Sequence, residues 1–97
     1  MNKPEVTYYG QTKTPQTNAR REDYQGLTLW YSYRSIIAFR EANKPRVVIE
    51  NIWNTTTGKH LNWIDGGDKN ARLEYHEFQN QLKAAMERAG LDYREAV

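Results

Sequence analysis

The apolar residues change period near Glu74, and that change constrains the fold more than any other feature of the sequence. Tyr75, Phe78, Leu82, Ala85, Met86 and Ala89 follow one another at steps of three, four, three, one and three. Such spacing puts them on one face of a 3.6-residue helix. Leu73 falls off the stripe, so the helix is expected to start near Glu74, with Ala71-Arg72-Leu73 as a brief strand before it. Gly90 stands where a left-handed C-terminal cap belongs, and Lys83 and Arg88 lie where basic side chains favour the helix dipole. Residues 91–97 are expected to fray.

Upstream, the apolar clusters are short, aromatic and β-branched. Leu27–Tyr31 and Ile36–Arg40 read as two strands, joined tightly through Ser32-Tyr33-Arg34-Ser35 although the Asn-Gly signature of the best hairpin turns is missing. Val47–Trp53 reads as a third strand after the polar turn that ends at Pro45, and His60–Asp65 as a fourth. The turn between these two, Asn54–Gly58, reads as side chains bonding their own backbone, with Gly58 supplying a positive φ. Gly66-Gly67-Asp68 then ends the sheet, and Val6–Tyr9 offers a fifth strand. Residues 11–26, QTKTPQTNARREDYQG, offer only Ala19 and Tyr24 for burial and read as a long polar loop or arm.

One amphipathic helix and one sheet with an apolar face bury each other by lying across one another. The expected architecture is α+β: an antiparallel meander of four to five strands packed against one C-terminal helix. Its expected core is Leu29, Tyr31, Ile37, Phe39, Val47, Ile49, Leu61, Trp63, Phe78, Leu82 and Met86. At 97 residues the chain has room for one domain, residues 1–97, and without cysteine no disulfide can support it. No run of eighteen apolar residues exists to span a membrane, and Met1–Glu5 leads into no apolar segment of the signal-peptide kind.

The chemistry-bearing residues form no recognised catalytic pattern. There is no cysteine nucleophile, nucleophile elbow, Walker loop or dinucleotide fingerprint, so neither catalytic residues nor a cofactor are assigned. His60 and His76 lie on different expected elements and read as ordinary surface or edge histidines, so no metal site is assigned. Asp65–Asp68 lacks the glutamate a calcium loop needs at its twelfth position and reads as a turn. Glu74 and Glu77 suit the first turn of a helix through the macrodipole.

Fourteen Lys and Arg against twelve Asp and Glu give a formal charge of +2, short of the excess expected of an obligate nucleic-acid binder. Residues 25–50 hold a local surplus of two positive charges, which assigns any basic face to the middle of the chain. The aromatic residues are more suggestive. Trp30, Tyr31, Tyr33, Phe39, Trp53 and Trp63 fall within 34 residues, with Arg34 and Arg40 among them. Strand alternation prevents all of them from sharing one core, so either a second sheet face is exposed or residues 11–26 fold over it. Exposed aromatics beside arginines can anchor a protein interface or stack bases. The candidate partner-binding residues are therefore Trp30, Tyr33, Arg34, Arg40, Trp53 and Lys59.

Two stretches, YSYRSIIAFR at residues 31–40 and VIENIWNTTTGKHLN at residues 48–62, resemble a family of small uncharacterised proteins of bacteriophages and prophages. The likeness extends over about residues 27–82. It implies a phage accessory protein in the cytoplasm of a bacterial host, and no functional residue comes with it. Small phage proteins of this kind often bind a host protein, including components of defence systems. The expectation is a non-enzymatic protein that inhibits or modulates a host macromolecule without a cofactor. The alternative is a small nucleic-acid-binding module in which Arg34, Arg40, Lys44, Arg46 and Lys59 meet phosphate. Pairing with a second copy as a homodimer also stays open.

Overall fold

The computed structural model describes residues 3–10 and 17–93. These form five strands and two α-helices in an α+β arrangement: β1 (Glu5–Tyr8), β2 (Ala19–Tyr24), β3 (Leu27–Ser32), β4 (Ser35–Glu41), β5 (Val47–Val48), α1 (Thr55–Asp65) and α2 (Tyr75–Arg88). The strands are a meander in sequence order, each antiparallel to its neighbour. Beyond β5, Ile49 bridges Leu73 in parallel, with Leu73 N–H donating to the Val48 carbonyl at 2.8 Å. That bridge is the part of the expected Ala71–Leu73 strand that forms, since Lys69–Ala71 is a short 3-10 turn.

The β3–β4 hairpin closes through Tyr33-Arg34, and Ile37 is an extra residue, because Trp30 faces Ala38 while Tyr31 faces Ile36. Alternation along β3 then sorts the two faces of the sheet. Leu27, Leu29 and Tyr31 share a face with Phe39 and Glu41. This face receives α2: Phe39 and Phe78 rings meet at 5.5 Å, and Arg88 donates to Glu41 at 2.8 Å. The buried side chains of α2, Phe78, Leu82, Ala85 and Met86, belong to the expected stripe. Glu74 caps the helix by accepting from the His76 and Glu77 amides, bonds that lower its pKa. Gly90 ends it at φ 73°.

The opposite face, carrying Thr28, Trp30, Ser32, Ala38 and Val48, is covered by a second helix. This is a correction: His60–Asp65 belongs to α1 and is not a strand. Thr57, His60, Leu61 and Ile64 fall at i, i+3, i+4 and i+7 and are the buried side of α1. Asn54 accepts from the Thr57 amide as N-cap, and Gly66 at φ 70° is the left-handed cap, its N–H donating to the Asn62 carbonyl. Gly58 is therefore an interior helix residue without a positive φ, and Gly66-Gly67 ends a helix, not a sheet.

The segment read as a polar loop is corrected in the same way. Its residues 19–24 are β2, paired on both sides, while 11–16 lie outside the described residues. Arg20 pairs with Glu22 at 3.0 Å on one face, and Arg21 with Asp23 at 2.9 Å on the other. The same guanidinium groups lie over the Tyr31 and Trp30 rings of β3 at 4.1 and 5.3 Å. A strand with few apolar residues is thus held by pairing at i, i+2 and by cation–π contact, worth about 0.5–2 kcal/mol each. The third expected strand shortens to Val47–Val48, and residues 50–54 lead into α1. Of the expected core, Val47 and Trp63 are only half-buried, while Leu27, Trp30, Ile36, Ala38, Val48, Ile64 and Ala85 join it. The expected fraying tail begins in irregular structure at Leu91–Tyr93, and 94–97 lie outside the described residues. No helix of the described residues is long and apolar enough to cross a membrane.

Candidate functional site

The hairpin tip combines exposure, backbone strain and chemistry. A two-residue connection between strands needs a residue at positive φ, a conformation suited to Gly or Asn. Tyr33 occupies it at φ 56°, with its N–H donating to the Asn18 carbonyl at 2.8 Å. Its side chain is 47 % exposed, and Arg34 beside it is exposed as well. A bulky residue in this conformation costs roughly 1 kcal/mol or more over glycine.

Beneath the tip lies His60, 2 % exposed, so the expectation of a surface or edge histidine is corrected. Its ring meets Tyr33 at 6.0 Å, Tyr9 edge-on at 6.2 Å and Trp63 in a stack at 5.4 Å. Nδ1 lies 2.7 Å from Ser32 Oγ, which lies 3.1 Å from Thr57 Oγ1. Burial first, and the charge of Lys59 second, hold the His60 pKa below its ordinary value, favouring the neutral ring. Tyr9 donates its hydroxyl to the Tyr31 carbonyl at 2.7 Å, and burial pushes its pKa well up. Ser32 Oγ is enclosed and engaged on two sides, so the cluster pins the tip of β3 to α1. Tyr9 and Trp63 at its flanks are half-buried, and the exposed residues of the tip above it are Tyr33 and Arg34.

The six sequence-derived candidates do not converge. Tyr33 and Arg34 form the tip, whereas Arg40 stands opposite Thr28 near the other end of β4, roughly 20 Å away at 3.3 Å per residue. Lys59 is exposed on α1, and Trp53 is half-buried just before it, packed on the core. Trp30, at 6 % exposure, is a core residue under Arg21, so it cannot be a surface anchor. Sequence reasoning missed Tyr9, Ser32, Thr57 and His60 as a cluster. The available signal was the Asn54 to Gly66 interval, a cap at each end of a helix that sets Thr57 and His60 on one face.

The chain belongs to DUF8033. This family of unknown function matches residues 3–80, which takes in the whole sheet, α1, the hairpin tip and the first part of α2. No curated protein and no solved structure matches the chain.

Proposed function

We propose that this protein acts by binding another macromolecule without catalysis, and that its contact surface is the β3–β4 tip. The observation that carries the reading is Tyr33, a large aromatic half-exposed in a conformation glycine would adopt at lower cost, with Arg34 next to it. Strain retained on an exposed side chain is a mark of function, and Tyr and Arg are the residues most enriched at binding hot spots. A protein partner suits such a small convex tip better than a nucleic acid. The sheet face that carries Trp30 offers no stacking platform among the described residues, because Trp30 is buried and α1 covers that face, and the exposed aromatic Tyr8 stands alone on the edge strand β1. The resemblance of residues 31–40 and 48–62 to small phage proteins supplies the setting: an accessory protein in a bacterial cytoplasm that occupies a host protein, defence components included.

The test is Tyr33→Gly, which relaxes the backbone while deleting the ring. The variant is expected to melt at or above the temperature of the native chain. In pull-downs from nuclease-treated bacterial lysate it should lose the protein that the native chain retains. Equal retention by both would refute the tip as the contact surface.

A further inference from the structure

On the exposed side of α1, Glu50, Asn51, Lys59, Asn62, Lys69 and Arg72 line a groove of about 470 Å³. Gly58 lets the loop close in beside the helix, since a Cβ there would come within 3.1 Å of Asn51 Nδ2. We infer that this groove is a binding site for the phosphate group of a small phosphomonoester.

Three observations lead there. Lys59 and Lys69 have no carboxylate within ion-pair distance among the described residues, a property they share with Arg34, Arg40, Arg46 and Lys83, but these two line one groove together. Glu50 shares their groove and pairs with neither. Two ammonium groups against the one carboxylate of Glu50 leave the concavity net positive and raise the local potential for an anion. The third cation is prepositioned. The Arg72 side chain is 4 % exposed, and its Nε and Nη2 donate to Asp65 at 2.7 and 2.9 Å. Nη2 also donates to Asn62 at 3.0 Å. These bonds use Nε and Nη2, and Nη1 has no partner among the described residues. A guanidinium fixed on one side with donors left on the other is suited to oxygen anions.

The number of cations selects the ligand. A phosphomonoester carries about −1.5 to −2 charges at pH 7 and three terminal oxygens, enough for two ammonium groups and one guanidinium at once. A carboxylate has only two oxygens and one charge. Glu50 disfavours a featureless polyanion and can accept a hydroxyl from the rest of the ligand, while Asn51 and Asn62 add amide groups that donate and accept.

The experiment is a titration of the ¹⁵N-labelled full chain, at low ionic strength, with inorganic phosphate, adenosine 5′-monophosphate and adenosine. Saturable shifts centred on the amides of Asn51, Gly58, Lys59 and Arg72 are expected with both phosphates and not with adenosine. Equal affinity for the two would make the groove a site for the phosphate group alone. Tighter binding of the nucleotide would show that the groove also holds the organic part. Lys59→Ala and Lys69→Ala, both at exposed unpaired positions, should each weaken binding about fivefold, and Lys59→Arg should retain it. Absence of saturation, equal shifts with adenosine, or native affinity in the double alanine variant would overturn the inference. So would an oligothymidylate without terminal phosphates that competes more tightly than the nucleotide.

Discussion

Replacing Ser32 by alanine tests whether the polar contact between sheet and α1 carries stability. Ser32, Thr57 and His60 are all buried, and Ser32 Oγ is the shared member of the two contacts at 2.7 and 3.1 Å. Two arrangements satisfy the trio: Thr57 donates to Ser32, which donates to His60 Nδ1, or the chain runs in reverse from a protonated Nδ1. Both pass through the serine, so alanine leaves a hydroxyl and a ring nitrogen without their partner. At about 1–3 kcal/mol for each buried polar group left unpaired, and with partial relaxation, the loss is about 2–4 kcal/mol. Against a total of about 5–15 kcal/mol for a domain, that is a large fraction. Ser35→Ala is the control, because Ser35 faces Ser32 across the hairpin, is also buried and makes no side-chain hydrogen bond among the described residues. Urea unfolding followed by tryptophan fluorescence should give Ser32→Ala a much lower midpoint and Ser35→Ala a midpoint within about 1 kcal/mol of native. Equal effects would refute the argument and make the trio incidental to stability.

Two further outcomes follow from neighbouring groups. Because the folded state holds His60 below its ordinary pKa, the unfolded chain binds the extra proton first. Stability is therefore full above about pH 6.5 and falls as pH drops below it, by up to about 1.4 kcal/mol per pH unit. Urea midpoints at pH 7.5, 6.0 and 5.0 should show this slope in the native chain and lose most of it in His60→Gln. The carboxylates of Asp23, Glu41, Asp65 and Glu74, all with lowered pKa values, add a fall of the same sign as the unfolded chain begins to protonate at about pH 5, so the interval from pH 7.5 to 6.0 is the one that reads His60 with least contribution from them. Asp65→Asn leaves the Arg72 guanidinium buried without its counter-ion and is expected to cost about 3–5 kcal/mol, measured by the same unfolding assay.

The α+β class, the meander and the C-terminal helix were legible because each rests on apolar periodicity. The stripe from Phe78 to Met86 buries the residues its spacing indicates, whereas Leu27–Ser32 and residues 35–39 are buried on both faces, beyond the one apolar face that alternation indicates. The two misread segments rest on polar chemistry. Within ARREDY the repeating signal is charge sign at i, i+2, which pairs each arginine with an acid on its own face, and hydropathy is blind to it. In α1, three β-branched threonines and a glycine oppose helix propensity, and Leu61 and Trp63 imitate strand alternation. What decides that segment is its ends, Asn54 and Gly66, which satisfy first-turn donors and last-turn carbonyls.

The same distinction explains why the candidate surface was only partly visible. Counting aromatics correctly implied that one core could not hold them all, but the sheet's second face was covered by a helix unrecognised in the sequence. Once α1 is placed, Trp30 becomes core and Trp63 becomes the flank of His60. The exposed aromatic surplus of β3 and its turn then reduces to Tyr33, since Leu29 and Tyr31, its neighbours in alternation, lie under α2. Tyr33 escapes because alternation stops at the turn. The residue that ends a strand at positive φ belongs to neither face, so its ring tilts against His60 at 6.0 Å and is otherwise left half-exposed to solvent.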